Sequence, residues 1–316
     1  MKSVIIVGIG KLGIRHLEAI LLCGIPSTIW VVDKNLEMLK KAEDLSTELT
    51  HFCHLQYSTE LPKDLSFDLG IIATDSRHRF EITSYLLQKN HVRNVLLEKI
   101  IFPISNQYIQ FHEIIEKLGC NCFVNLPRRM FSHYKLLREH TLNAKKFQVT
   151  IKGSSWGLLS NSLHFVDLIH YLFEVKCDNV DSTEVDDFFS SKRIGYLEAN
   201  GSIEFNFSSK GKAIIICEEG NFEGISIDLL FDSKQVIIKE RSNGDMQFSW
   251  GLTSLEIFPL MVTETTSIFW KQIVENKACE LPSYNDIYLE HLLFIASFEE
   301  KNEQVIKMNN ERIWLT

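Results

Sequence analysis

The sequence predicts an α/β protein in which an N-terminal doubly wound parallel sheet precedes a C-terminal α+β domain built on an open, mainly antiparallel sheet. Three observations predict it. Short apolar runs alternate with amphipathic segments through the first 125 residues, and a G-x-G-x-x-G pattern follows the first run. After about residue 145 the texture changes to longer alternating stretches separated by turn signals. A chain of 316 residues exceeds one ordinary core, so the natural division is 1–125 and 126–316, with the two halves packed on one another across a cleft.

Residues 4–7, 28–32, 69–73, 95–97 and 122–124 are compact aliphatic or β-branched runs bounded by polar or turn residues, and read as buried parallel strands. Between them, Leu17, Ile20 and Leu21 recur at helical spacing and stop at Gly24 and Pro26, and Ile114, Ile115 and Leu118 do so before Gly119. In the second half, Asn200-Gly201, Lys210-Gly211, Gly220-Asn221 and Asn243-Gly244 read as turns of an antiparallel sheet. Helical patterns cover 161–173 and 287–298, and Phe188, Phe189, Phe205 and Phe207 suit a sheet face packed on helices or on another subunit. His51, Cys53 and His54 read as alternating positions of a strand, because no matching second ligand group accompanies them. Cys120 and Cys122 read as strand positions too.

Composition narrows the function classes. Hydrophobic residues make up 45% and charged residues 23%, and no apolar run is long enough to span a bilayer, so no membrane role is expected. The net charge of -8, with scattered lysines and arginines, argues against a nucleic-acid surface. Seven cysteines without repeating spacing suit a reducing compartment, and the cytoplasm is the expected location. The opening MKSVIIVGIG reads as a first strand and not as a signal peptide, since Lys11 and Arg15 break the apolar run. A small molecule is the expected partner.

Gly8, Gly10 and Gly13, with Lys11 and Leu12 between them, stand where a strand turns into a helix. Glycines there permit the tight turn, let the backbone approach a pyrophosphate and bring helix against sheet, with the helix N-terminus facing the negative charge. Asp33 follows 20 residues after Gly13 at the end of the second strand, where it can accept the ribose hydroxyls; its plain alternative is a cap for the next helix. An aspartate there repels a 2′-phosphate, so NAD(H) is preferred and NADP(H) is second choice, with Lys34 tempering the preference. Glu98 and Lys99, in VLLEKI, mark the carboxyl edge of the same sheet nearer the nicotinamide.

GIGKLG, ATDSRH, LEKI, NLPRRM and LHFVD occur in this order and at intervals that resemble the glucose-fructose oxidoreductase, inositol dehydrogenase and MocA family over nearly the whole chain. The resemblance implies a Rossmann domain and an oxidoreductase acting on a secondary alcohol or ketone of a sugar, nucleotide sugar or cyclitol. It implies that Lys99 hydrogen-bonds the reacting oxygen and that His164 is the acid/base group. Thr74 and Glu98 would line the nicotinamide ribose, and Asn125 would meet the carboxamide. Arg129, Ser160 and Asp167, with Arg128, would contact the substrate or brace the site, and the C-terminal sheet would join a homodimer or homotetramer. Two departures stand out. Ile100 replaces the proline of the usual E-K-P, a change of loop geometry that leans toward the surface-polysaccharide branch, and Ser160 occupies the position of an aspartate four residues before the histidine. An NAD-using lyase or hydrolase without net redox is an alternative with the same cofactor, and the second departure keeps open a nucleotide-binding regulator.

Overall fold

A computed structural model describes residues 1–49, 51–208, 210–250, 253–309 and 314–315. They form two compact units. The first contains Met1–Phe102, Asn106–Asn125 and Leu260–Asp286; the second is mainly Leu126–Pro259 and the chain from Ile287 onward.

The first unit opens with β1 (Lys2–Val7), α1 (Lys11–Leu22), β2 (Ser27–Val32), α2 (Leu36–Glu48) and β3 (His54–Ser58). It continues with β4 (Ser66–Phe67), β5 (Leu69–Ile72), α3 (Ser76–Lys89), β6 (His91–Val92), β7 (Asn94–Leu97), α4 (Ser105–Leu118) and β8 (Asn121–Val124). Six strands pair in the order β3-β2-β1-β5-β7-β8, every pair parallel, and β4 pairs with β6 beside them. A parallel sheet is covered on both faces, which is why its strands read as unbroken apolar runs. Val4, Ile5 and Ile6 are wholly buried, each contributing about 1.5–3 kcal/mol relative to an exposed side chain.

The second unit follows with a 3-10 turn (Pro127–Met130), α5 (Ser132–Thr141), β9 (Phe147–Ser154) and α6 (Leu158–Phe173). Eight further strands are β10 (Asn179–Asp181), β11 (Asp187–Ser190), β12 (Tyr196–Phe207), β13 (Gly211–Glu218), β14 (Gly224–Phe231), β15 (Lys234–Arg241), β16 (Met246–Trp250) and β17 (Thr253–Ile257). The sheet runs β10-β12-β13-β9-β14-β15-β16-β17, antiparallel apart from the β13–β9 pair, with β11 on β12. Along β13, Ala213, Ile215 and Cys217 are buried while Ile214 and Ile216 are only half-buried, the period-two pattern of a sheet with one covered face. On the covered face Phe147 stacks on Phe173 of α6 with ring centroids 4.1 Å apart.

The last helices are α7 (Val262–Val274) and α8 (Tyr284–Asn309), and β18 (Trp314–Leu315) pairs with β12. The chain thus departs from a single division at residue 125. α7 returns to the first unit and packs on α1, with Ser267 Oγ donating to Ala19 O at 3.0 Å.

Other local readings need correction. Asn200-Gly201 is not a turn but lies inside β12, where Gly201 has φ +122° and a Cβ would come within 2.2 Å of Glu184 O. Close passage of a neighbouring backbone, not chain reversal, demands that glycine. β5 stops at Ile72, before Ala73. β3 begins at His54, so His51 and Cys53 fall in the loop before it, where the Cys53 amide donates to His51 Nδ1 at 3.1 Å. Cys120 precedes β8. Among the described residues no helix is long and apolar enough to cross a membrane, and no cluster of side chains could hold a metal.

A Cβ on Gly13 would stand 1.9 Å from Gly8 O, whereas one on Gly10 meets nothing within 4 Å. Gly13→Ala should therefore lower stability by about 1–3 kcal/mol despite alanine's better helix propensity, while Gly10→Ala should stay within about 0.5 kcal/mol of the parent. Thermal unfolding of the two variants checks this.

Candidate active site

Parallel pairing sets one row of residues at the carboxyl edge of the first sheet. The Gly8 amide donates to Val32 O at 2.8 Å, Ala73 to Val7 O at 2.8 Å, Glu98 to Ile72 O at 3.4 Å and Asn125 to Leu97 O at 2.9 Å. These are the last rungs of the ladder. Gly8, Thr74, Glu98, Lys99 and Asn125 are therefore brought to one edge, the position where ligands meet open α/β sheets.

At this edge Gly8 has φ +88°, and a Cβ there would lie 2.8 Å from Thr74 N. α1 follows Gly10, an N-cap without a side chain to cap it, unlike α2 and α3, which Asn35 and Asp75 cap by accepting from Glu37 N at 2.9 Å and Arg77 N at 3.1 Å. The amides of Lys11 and Leu12 thus belong to an uncapped helix start, a ready site for an anion. Asp33 is not the cap of α2. Its Oδ2 accepts from Ile9 N at 2.7 Å and its Oδ1 from Asn35 N at 2.8 Å, which orients the carboxylate beside the glycine loop.

A dinucleotide can be tested against these residues. Gly10 faces open space where a side chain would intrude on a pyrophosphate, and the buried Thr74 hydroxyl has no hydrogen-bond partner among the described residues. The glycine spacing, the oriented acid and this orphaned hydroxyl fit the group.

Glu98 is more deeply placed than a ribose ligand needs to be, at 4% exposure. Its Oε1 receives the Asn125 amide at 2.7 Å and one ring nitrogen of His16 at 2.8 Å, and the other His16 nitrogen meets Thr266 Oγ1 of α7 at 2.8 Å. Burial pushes the Glu98 carboxyl up, but the hydrogen bond and charge of His16, the Asn125 amide and the charge of Arg79 outweigh it and hold the group below its usual range. Asn125, expected at the carboxamide, spends its amide nitrogen on this carboxylate. His16 and Thr266 were not singled out from the sequence. Helical spacing marks His16 only as a core position, and nothing local links it to residue 266. Lys99 follows half-buried, and its peptide bond to Ile100 is cis.

In the second unit, Ser160, His164, Asp167 and Tyr171 recur along one face of α6 at helical spacing, and His164 is half-buried. Asp167 is engaged by Arg129, whose Nε donates to Oδ2 at 3.1 Å and whose Nη2 donates to Oδ1. Arg128 makes the same two-pronged pairing with Glu240 and lies 4.1 Å from the centre of the Phe165 ring. These forks tie the 3-10 turn to α6 and β15. Ser160 does not leave its helix without a carboxylate. Glu198 of β12, 7% exposed, accepts from Leu159 N at 3.0 Å and Ser160 N at 3.1 Å. An acid from a distant strand thus sits on the helix N-terminus, where the dipole favours it, and no sequence signal announces it.

By sequence no family model and no curated protein matches the chain. By structure it is similar to UDP-N-acetylglucosamine 3-dehydrogenase GnnA from Acidithiobacillus ferrooxidans, at TM-score 0.68 and 11% identity over 94% of this chain and 97% of that one. A dehydrogenase from Chromobacterium violaceum gives TM-score 0.65 at 15% identity over 98% of each chain. The fold is that of the Gfo/Idh/MocA-type dehydrogenases. An oxidoreductase of this fold from Agrobacterium radiobacter, solved with NAD+, L-tartaric acid and magnesium, gives TM-score 0.65 at 10% identity over 98% of this chain and 97% of that one.

Two buried histidines of the second unit make its stability depend on pH. Desolvation holds His133, against Tyr134, down to about 4 and His291 down to about 3, from the usual 6.5. Both folded values lie below the unfolded one, so the unfolded chain takes up protons first. Their contribution should be complete above about pH 6.5 and be lost progressively as pH falls toward 4. Urea unfolding at pH 7.5 and pH 5 should show the loss, and His133→Phe should reduce it.

Proposed function

We propose that the protein is an NAD(H)-dependent oxidoreductase that transfers a hydride to or from a secondary alcohol or ketone of a sugar, nucleotide sugar or cyclitol. The observation that carries the reading is the nucleotide edge itself. Three glycines open the start of α1, and Asp33 is turned toward them by the Ile9 amide. The similarity to GnnA and to the NAD+ complex supports the same reading, and the nucleotide sugar in GnnA's name makes nucleotide sugars the first substrates to test.

A bound nicotinamide supplies the hydride acceptor or donor. In the oxidative direction the carbinol carbon gives up hydride while its hydroxyl proton passes to His164, and the Lys99 ammonium stabilises the oxygen as negative charge grows on it. Reduction runs the same steps backward. Glu198 weakens the regulatory alternative, since the turn that carries Ser160 has a carboxylate on its amides. Two copies of the chain would meet through the uncovered sheet face, on which Ile214, Ile216 and Ile237 stand half-buried among polar residues.

Titration with NADH and NADPH, followed by fluorescence, tests the reading. Tight NADH binding that weakens about 10–100-fold in Asp33→Ala is expected, as for loss of a charged hydrogen-bond acceptor. Binding of neither nucleotide would sink it. In a screen of nucleotide sugars, Lys99→Ala and His164→Ala should each cut turnover about 10²–10⁴-fold, and His164→Ala should leave NADH affinity unchanged.

A further inference from the structure

Beyond the last rung of the ladder, the chains leaving β5 and β7 are joined by a side chain. Arg79, one turn into α3 and only 3% exposed, folds back to this edge. Its Nη1 donates to Glu98 O at 2.6 Å, to Ile101 O at 3.2 Å and to Ile100 O, and its Nη2 donates to Thr74 O. One planar guanidinium thus holds the backbone on both sides of Lys99 and ties it to the segment that carries Thr74. The arrangement is rigid for a physical reason. A buried cation cannot release its acceptors without exposing charge to an apolar interior, and Phe102, which closes this loop, is itself fully buried with its amide donating to Tyr108 Oη at 3.2 Å. The five donors of arginine form a fixed fork; lysine carries the charge on a single nitrogen that cannot span both segments.

We propose that Arg79 is the positioning residue for the nicotinamide half of the site. It sets Lys99 and Thr74 around the ring and ribose, while the glycine loop and Asp33 hold the adenosine half without it. The inference rests on the nicotinamide dinucleotide reading above and divides that site into two halves with separate supports.

The division gives the test. NADH and ADP-ribose, which lacks the nicotinamide, are titrated into the wild type, Arg79→Met and Arg79→Lys, with melting temperatures measured alongside. NADH should bind the wild type more tightly than ADP-ribose does. Both variants should bind ADP-ribose within about twofold of the wild type and NADH at least about tenfold more weakly, a split that general loosening of the fold would not produce. Added guanidinium ion should restore part of the NADH affinity to Arg79→Ala. If Arg79→Met fails to fold, Arg79→Lys, which keeps the charge and loses the fork, decides the matter. Equal weakening of both ligands, or no change in either, overturns the inference. Binding of neither ligand to the wild type overturns the nucleotide reading and this inference with it.

Discussion

A parallel β-ladder ends abruptly, and the groups it leaves at its carboxyl edge must find partners. This constraint organises the first unit. Up to the last rung, strand register fixes every residue; Gly8, Ala73, Glu98 and Asn125 stand in a row because each donates to the final carbonyl of a neighbouring strand. Past that rung the chain has no lattice to follow. Side chains take over: Asp33 receives the amides of Ile9 and Asn35, Glu98 gathers His16 and Asn125, and Arg79 collects the carbonyls of two departing loops. At Glu98 and Arg79 the edge is built from buried charge held by dipoles and hydrogen-bond partners, and releasing a partner there leaves charge in a poor solvent.

The second unit meets the same problem at a helix end. α6 is apolar over most of its surface, with its N-terminus against the sheet and opening after a left-handed glycine, Gly157. Its leading amides are answered by Glu198, which reaches them from β12. The arginine forks onto Asp167 and Glu240 then fix the polar side of this layer. Removing one member of such a pair leaves a charge in a poor solvent, so these residues act as braces whatever else they touch.

Much of this was legible in the sequence where the physics is local. Apolar runs with glycine and proline stops mark the parallel strands and the helices between them, and G-x-G-x-x-G with an acid 20 residues on marks the nucleotide edge. Local signals misled where a distant backbone set the requirement. Asn200-Gly201 has the composition of a turn, but Gly201 is needed because residue 184 passes against it within a continuing strand. α7 belongs to the first unit through its packing on α1, a preference invisible in a window confined to either helix.

What the sequence by itself determined is the set of elements, the order of the strands' chemistry and the identity of the residues at the strand ends, because periodicity, glycine freedom and charge act over a few positions. Only the tertiary structure decided what those residues do to one another. That Glu98 is a buried hub, that Asp33 joins the glycine loop to the residue that caps α2, that Glu198 caps α6 and that Arg79 joins two loops are facts of hydrogen bonding that only the folded chain brings about. A hydrogen bond needs its partners within about 3 Å and in line, and only the folded backbone brings them there.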